Sequence, residues 1–179
     1  MARIVVTSQT VACVTTARIA PDGYDPRMTR RTIDELGDLL DLPYCAVLAT
    51  HREDGSVLLS PVWHEWRDGG FNLGVPKGDI KLRHLARDPR ATVVVYDHSW
   101  PGRGFEVRGE AAILEDASDE LSRRLSIRYL GPVKGTEYAD AAVPGVIVRL
   151  EPGKMRAWDF ADEVRPDPNL PLPVMPRRT

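Results

Sequence analysis

The chain has 179 residues, of which 42% are apolar and 28% are charged, with a formal net charge of -2 and a pI near 6.1. This composition suffices for one ordinary hydrophobic core and excludes a disordered or fibrous chain. The weakly acidic balance also argues against a general nucleic-acid-binding protein, because such proteins are usually strongly basic.

Three segments of different character are predicted. Residues 1–28 lack the periodic patterns of the rest, and Met28 directly precedes the first helix signal. We therefore interpret this segment as a disordered extension from an upstream start. Residues 29–160 are expected to form the single folded domain. Residues 161–179 carry five prolines, which exclude a helix or a central strand there.

The first predicted element of the domain is a short helix. Thr32 and Glu35 have the spacing of a capping box, and apolar residues recur at helical spacing up to Asp41, after which Pro43 ends the helix. The pattern then changes to short apolar or alternating runs separated by glycine-containing turns, which is typical of a strand meander. The strands are predicted at 44–50, 56–66 and 71–75.

The second half of the domain continues with short elements. Residues 76–87 are expected to form a loop and a short helix that stops at Asp88 and Pro89. Strands are predicted at 91–97 and 105–114, on either side of a loop rich in glycine and proline.

A helix from Ser118 to about Tyr129 follows, and a hairpin of 145–150 and 154–160 is predicted to turn at 151–153. Short, closely spaced strands with three brief helices predict a mainly β fold, a closed or nearly closed antiparallel barrel.

Several kinds of chemistry have no support in the sequence. The histidines show no metal-ligand spacing, and no nucleophile elbow, Walker loop or paired carboxylates are present. We therefore predict no metal ligand and no catalytic residue. The two cysteines, Cys13 and Cys45, form no CxxC pair, and Cys45 is expected to be a small core residue. No run has membrane-spanning length, so a cytoplasmic protein without membrane contact is expected.

The segment 75–90 carries the one positive chemical signal, because basic residues outnumber acidic ones there. They are Lys77, Lys81, Arg83, Arg87 and Arg90, against Asp79 and Asp88. A loop that enters a helix N-terminus presents free backbone N–H groups that suit a phosphate. Lys81 adds a point charge and Arg83 a bidentate fork. The alternative is a solvated basic face on a surface helix.

Four segments together resemble the pyridoxamine-phosphate-oxidase-like superfamily, and within it the actinobacterial reductases that use the deazaflavin coenzyme F420. The segments are 58–63 (LLSPVW), 71–75 (FNLGV), 78–90 (GDIKLRHLARDPR) and 105–111 (FEVRGEA). The likeness covers about 29–160. His84 stands where the family commonly has Asn, and an Arg that the family often has near Asp79 is absent.

The resemblance implies a split β-barrel homodimer with the cofactor in a groove between subunits. Lys81 and the backbone of Gly78 to Ile80 would hold the phosphate, and Lys77 and Arg83 would contact the phosphate or an acidic tail. The residues implied to line the flat ring are Ser60, Pro61, Val62, Gly74 and Val75, with Trp100 approaching from one side of the interface. Tyr129 and Tyr138 are expected near a substrate pocket.

Three functions remain open at this point. The first is an F420H2-dependent reductase that passes a hydride to an unsaturated small molecule. The second keeps the fold but uses FMN, as an oxidase or a reductase. The third is a non-catalytic protein that binds a cofactor, haem or another tetrapyrrole, which the missing catalytic signature permits because hydride transfer belongs to the cofactor.

Overall fold

The structure is a computed structural model that describes residues 30–31, 35, 37–97, 102–115 and 118–160. The strands are β1 (Arg30–Arg31), β2 (Ala46–His51), β3 (Val57–Val62), β4 (His64–Arg67), β5 (Gly70–Pro76), β6 (Arg90–Asp97), β7 (Arg103–Leu114) and β8 (Gly145–Asp159). The helices are α1 (Asp38–Asp41), α2 (Ile80–Arg87), α3 (Ser118–Leu130) and α4 (Pro132–Ala141).

The strands form one sheet in the order β3-β2-β6-β7-β8-β5-β4, with antiparallel pairing throughout, and β1 pairs with the end of β8. β3 and β4 lie at opposite edges of this sheet, yet Trp63 alone separates them in the chain. The sheet must therefore curl until its two edges meet at Trp63. This is a split β-barrel of mainly β class, and the predicted fold is confirmed.

The barrel interior is filled by the inward-facing residues of the central strands. β6, predicted as a buried strand from its β-branched apolar run, alternates between exposed or half-buried and buried positions along its length. Phe71, Phe105 and Val93 are completely buried, and the two phenylalanine rings stack with centroids 5.7 Å apart. The core is thus formed by strands that are far apart in sequence.

The predicted C-terminal hairpin is wrong. β8 runs without a turn from Gly145 to Asp159 and pairs with β7 from Ile147 onward, with a register shift at Arg108 and Gly109. A Cβ on Gly109 would lie 2.0 Å from the carbonyl oxygen of Glu151, so this glycine admits a close backbone approach. Pro152 and Gly153 therefore produce a β-bulge, which keeps the strand in the sheet instead of reversing it.

The helical prediction is partly wrong as well, because α4 follows α3 directly. Gly131, with a φ of 82°, reverses the chain, and Pro132 opens the next helix at its first position. The sequence indicated only a stop here. A Cβ on Gly135 would come within 2.5 Å of the Ile127 Cα, so this small residue lets α3 and α4 pack closely.

Two smaller differences concern the first half. The strand predicted at 56–66 is divided at Trp63 into β3 and β4. The first helix covers only Asp38–Asp41, and most of the earlier turns predicted for this helix lie outside the described residues. The predicted N-terminal extension and the proline-rich tail also lie outside them. Within the described part of the chain, no helix is long and apolar enough to cross a membrane.

Candidate functional site

A cavity of about 840 Å³ lies between one end of the barrel and the pair of helices α3 and α4. The barrel side is formed by residues of β3, β5 and β8 and the seam between β3 and β4: Pro61, Val62, Trp63, Gly74, Val75, Pro76, Gly145 and Val146. The helical side carries the charged α3 residues Asp119, Glu120 and Arg123 as well as Tyr138 of α4 and Val143. A cavity of this size, with mostly apolar walls, suits a cofactor or a drug-sized ligand.

The barrel side of the cavity is apolar. Pro61 and Val62 come from the end of β3, and Gly74 and Val75 from β5. Gly74 is exposed, and a Cβ there would come within 3.2 Å of Leu125 Cδ1, so glycine keeps this part of the wall open. A planar ring requires such a surface with few protruding side chains.

Lys81 is the cation that lines the cavity from α2. Its side chain is only 13% exposed, and its Nζ lies 2.6 Å from Asp79 Oδ2. Asp79 is the N-cap of α2, and its Oδ1 accepts a hydrogen bond of 2.9 Å from the Lys81 backbone N–H. Partial burial alone raises the pKa of Asp79, but the hydrogen bonds and charge of Lys81 outweigh it, and the pKa is lowered.

The structure brings together five of the predicted cofactor-binding residues, namely Pro61, Val62, Gly74, Val75 and Lys81. The others do not line the cavity. Ser60 is half-buried on β3, and the remaining ones are exposed around the start of α2: Lys77, Gly78, Ile80 and Arg83. Trp100 lies outside the described residues.

An aromatic cluster closes one end of the cavity. Trp63 stacks on Tyr129 with centroids 5.0 Å apart and planes 6° from parallel, and Tyr138 tilts against Trp63 at 5.4 Å. Tyr129 is held in place because its hydroxyl donates to the Tyr44 carbonyl oxygen at 2.9 Å and accepts from the His64 backbone N–H at 3.2 Å. Tyr138 lines the cavity and is half-exposed, whereas Tyr129 supports Trp63 from behind.

Two arginines fix α3 to the barrel behind this cluster. Arg124 makes a bidentate pair with the buried Glu65 of β4, with an Nη2–Oε1 distance of 2.7 Å and an Nε–Oε2 distance of 2.9 Å. Arg128 donates from Nη2 to the carbonyl oxygens of Leu40 and Leu42, which lie at the end of α1. The helical side of the cavity is therefore a fixed wall.

His64 is completely buried beneath Arg128, and its Nε2 donates to the Tyr44 carbonyl oxygen at 3.1 Å. Burial and the nearby Arg128 charge lower its pKa from 6.5 to about 4. In the folded protein the ring therefore stays neutral at a pH at which the unfolded chain already binds a proton. His64 therefore does not reduce the free energy of unfolding above pH 6.5, and its neutral form lowers that free energy progressively as the pH falls towards 4.

We expect the free energy of unfolding to lose about 3 kcal/mol through His64 between pH 7 and pH 4, since each unit of pKa difference is worth about 1.4 kcal/mol. His64→Gln keeps a donor for Tyr44 and removes the titration, so its unfolding free energy should fall less over this range. Urea denaturation at several pH values measures the difference. His51→Gln on β2 is the control, and equal pH slopes for both variants and the original chain would contradict the prediction.

Sequence reasoning predicted α3 and expected Tyr138 near a substrate pocket, but it missed α4, the helix that carries Tyr138. It was also wrong about Cys45, which is exposed and lines the cavity. Cys45 directly precedes β2, whose buried residues begin at Ala46, so the alternation of the strand places Cys45 outside. In the part of the chain that is described, no cluster of three or more histidine, cysteine or acidic residues could hold a metal ion.

The fold and cavity define a split-barrel protein with a cofactor-sized cavity beside the barrel. Residues 32–159 match the family described as pyridoxamine 5'-phosphate oxidase, and the chain belongs to this family. A search of curated protein sequences gives no match.

Solved structures show the same similarity. The conserved hypothetical protein Rv2991 from Mycobacterium tuberculosis is 25% identical with a TM-score of 0.66, covering 82% of this chain and 96% of that one. A structure named F420 reductase is 26% identical with a TM-score of 0.55, covering 66% and 93% of the two chains. A FAD-binding protein from Mesorhizobium loti, 20% identical with a TM-score of 0.54 over 73% and 96%, shows the fold alone.

Proposed function

We propose that the chain is an F420H2-dependent reductase that transfers a hydride between the deazaflavin and an unsaturated small molecule. The observation that carries this proposal is the apolar barrel side of the cavity with a largely buried lysine at its edge. The similarity to a protein named F420 reductase over two-thirds of this chain supports it. The deazaflavin supplies the hydride when it is bound, so the protein needs only to bind and orient.

The residues present fit a flavin-type ring. Pro61 and Gly74 are exposed on the barrel side of the cavity and offer an apolar surface on which a planar ring packs, whereas the Val62 and Val75 side chains belong to the barrel core. Lys81 faces the same cavity and provides a partner for an anionic group. Lys77 and Arg83 lie outside the cavity and are exposed, so we assign them to a more distant, acidic part of the cofactor.

Trp63 and Tyr138 line the cavity in contact with each other and form the surface we assign to the substrate. Because Trp63 is stacked on the fixed Tyr129, it gives a rigid aromatic contact. This surface favours a planar, mostly apolar substrate over a flexible polar one. Tyr129 acts through Trp63 and is a positioning residue.

We further propose that the protein is a homodimer whose second copy covers the outer face of β2 and β3. The large apolar side chains Val47, Val57 and Leu59 are exposed there, and Leu59 is 65% exposed. Cys45 and Pro61 are exposed on the same two-strand surface and also line the cavity. A partner on this surface would bury the apolar strip and close the cavity, and we assign Trp100 to this interface.

FMN is the second candidate cofactor. The charge of Lys81 is already shared with Asp79, so this part of the cavity has little net positive charge. A single phosphate requires fewer cations than the longer acidic tail of F420, which favours FMN. A protein of the same fold is named a FAD-binding protein.

Titration with F420 and with FMN, followed by tryptophan fluorescence, tests the proposal because Trp63 lines the cavity. We expect quenching by F420 at micromolar concentration. Lys81→Met should weaken F420 binding by less than about 1.5 kcal/mol, the lower end of the usual contribution of a charge-assisted hydrogen bond, because Asp79 already shares the Lys81 charge. Lys134→Met, an exposed lysine of α4 outside the cavity, should change nothing.

Turnover is tested separately with reduced F420 and a panel of quinones, enones and tetrapyrroles. Oxidation of the cofactor is expected with at least one planar enone or quinone. Tight binding without oxidation would instead support a non-catalytic cofactor-binding protein, and tight binding of FMN alone would support the second candidate. No quenching by either cofactor would reject both redox functions.

A further inference from the structure

The two carboxylate oxygens of Asp79 accept hydrogen bonds from two different donors. Oδ1 accepts the backbone N–H of Lys81 in the first turn of α2 at 2.9 Å, and Oδ2 accepts the Lys81 ammonium at 2.6 Å. The side chains are largely buried, with exposures of 23% for Asp79 and 13% for Lys81. This is a fixed arrangement beside the cavity and not a loose surface pair.

The same two groups are those that an incoming phosphate would use. Free N–H groups at a helix N-terminus and a lysine ammonium are standard partners of phosphate oxygens. In this chain the Asp79 carboxylate already occupies the Lys81 ammonium and the Lys81 N–H of the helix N-terminus, and α2 has no other acidic residue in its first turn. The carboxylate also keeps its charge at neutral pH, because Lys81 lowers its pKa against the effect of burial.

We propose that Asp79 is a specificity-determining residue that competes with the cofactor phosphate for Lys81 and for the N-terminus of α2. This inference rests on the proposed function and concerns the same site. A phosphate either displaces the Asp79 side chain from Lys81 or binds next to a negative charge, and both cost affinity. Binding of the ring to the barrel wall is unaffected by Asp79, since Asp79 does not line the cavity.

The proposal predicts that affinity depends on the phosphate in a characteristic way. In the original chain, FMN should bind only slightly more tightly than riboflavin, which has the same ring without the phosphate. The same holds for F420 compared with its chromophore lacking the phosphate. The protein therefore selects its ligand mainly by the ring, and it discriminates weakly between phosphorylated and free forms.

Asp79→Asn is the decisive variant. Asparagine is as good an N-cap as aspartate, so α2 should keep its start while the competing charge is removed. We expect FMN and F420 to bind about tenfold or more tightly to this variant, while riboflavin affinity stays within about twofold. Inorganic phosphate should also raise the melting temperature of the variant more than that of the original chain.

Asp88→Asn is the matched control. Asp88 pairs with a cation two residues later in the same way as Asp79: it accepts from the Arg90 backbone N–H at 3.1 Å and from the Arg90 guanidinium at 2.7 Å. It lies at the other end of α2 and outside the cavity. It should leave all four ligand affinities unchanged. If Asp79→Asn misfolds, Asp79→Ser keeps an N-cap oxygen and serves the same comparison.

The outcomes separate this inference from the proposed function. Equal or weaker binding of FMN and F420 by the Asp79 variants, with binding by the original chain intact, overturns the role of Asp79 alone. Equal gains for riboflavin and FMN also overturn it, because the effect would then not involve the phosphate. No binding of any of the four ligands by either protein overturns both proposals.

Discussion

Arg124→Met should lower the free energy of unfolding by about 3 kcal/mol. Glu65, on β4, has only 10% of its side chain exposed and receives both of its charge-assisted hydrogen bonds from Arg124. Removing the guanidinium leaves a buried carboxylate without compensation, which typically costs about 3–5 kcal/mol. We expect the lower end of this range because Arg124 itself is one-third exposed.

The neighbouring arginine supplies the control. Arg123 pairs with Asp140, but both side chains are about half-exposed, so Arg123→Met should cost less than about 1 kcal/mol. Urea denaturation at pH 7 measures both variants. Adding Glu65→Gln to Arg124→Met should restore part of the loss, because the uncompensated charge is then absent. Equal effects of the two arginine variants would show that Glu65 does not depend on Arg124.

Leu59→Asp should convert the proposed dimer to a monomer and weaken cofactor binding at least tenfold. Leu59 lies opposite Ala49 in the β2–β3 pair and is 65% exposed in the isolated chain. A carboxylate in the middle of an apolar interface must be desolvated without a partner. The free-energy cost of this desolvation is larger than most interfaces of this kind can tolerate and still form. Because Pro61 of the same strand lines the cavity, loss of the partner should also open the cofactor site.

Val133→Asp is the matched control for this experiment. Val133 is 70% exposed at the start of α4 and does not line the cavity, so the substitution should change neither mass nor affinity. Light scattering after size exclusion gives the mass, and tryptophan quenching gives the affinity. A Leu59→Asp protein that remains dimeric would place the interface elsewhere, and a monomeric protein that binds the cofactor normally would separate the site from the interface.

The sequence predicted most strands because their evidence is local. Alternation in β6 and the glycine turn before β3 depend on residues that are close together in the chain. The bend at Trp63 was not predictable in this way, because it depends on β3 and β4 pairing with different strands far along the chain. For the same reason a proline and a glycine near 152 indicated a turn, whereas pairing with β7 produces a bulge.

The candidate site was likewise predicted only in part. The barrel wall and Lys81 were predicted from a family resemblance, and the structure brings five of those residues into one cavity. Of the helical wall, α3 was predicted, but α4 was missed because it follows a Gly-Pro pair that indicates a stop. The pairing of Asp79 with Lys81 was within reach of the sequence, since an acidic N-cap two residues before a lysine places both on the first turn of a helix.

The position of β8 has a consequence for how the chain is made. β8 lies between β7 and β5, so without it the sheet falls into a four-strand piece, β3-β2-β6-β7, and a two-strand piece, β5-β4. During synthesis these two pieces emerge from the ribosome before the strand that joins them. Until about residue 159 is released, each piece has an unpaired edge, and the nascent chain depends on other means of protecting those edges from association.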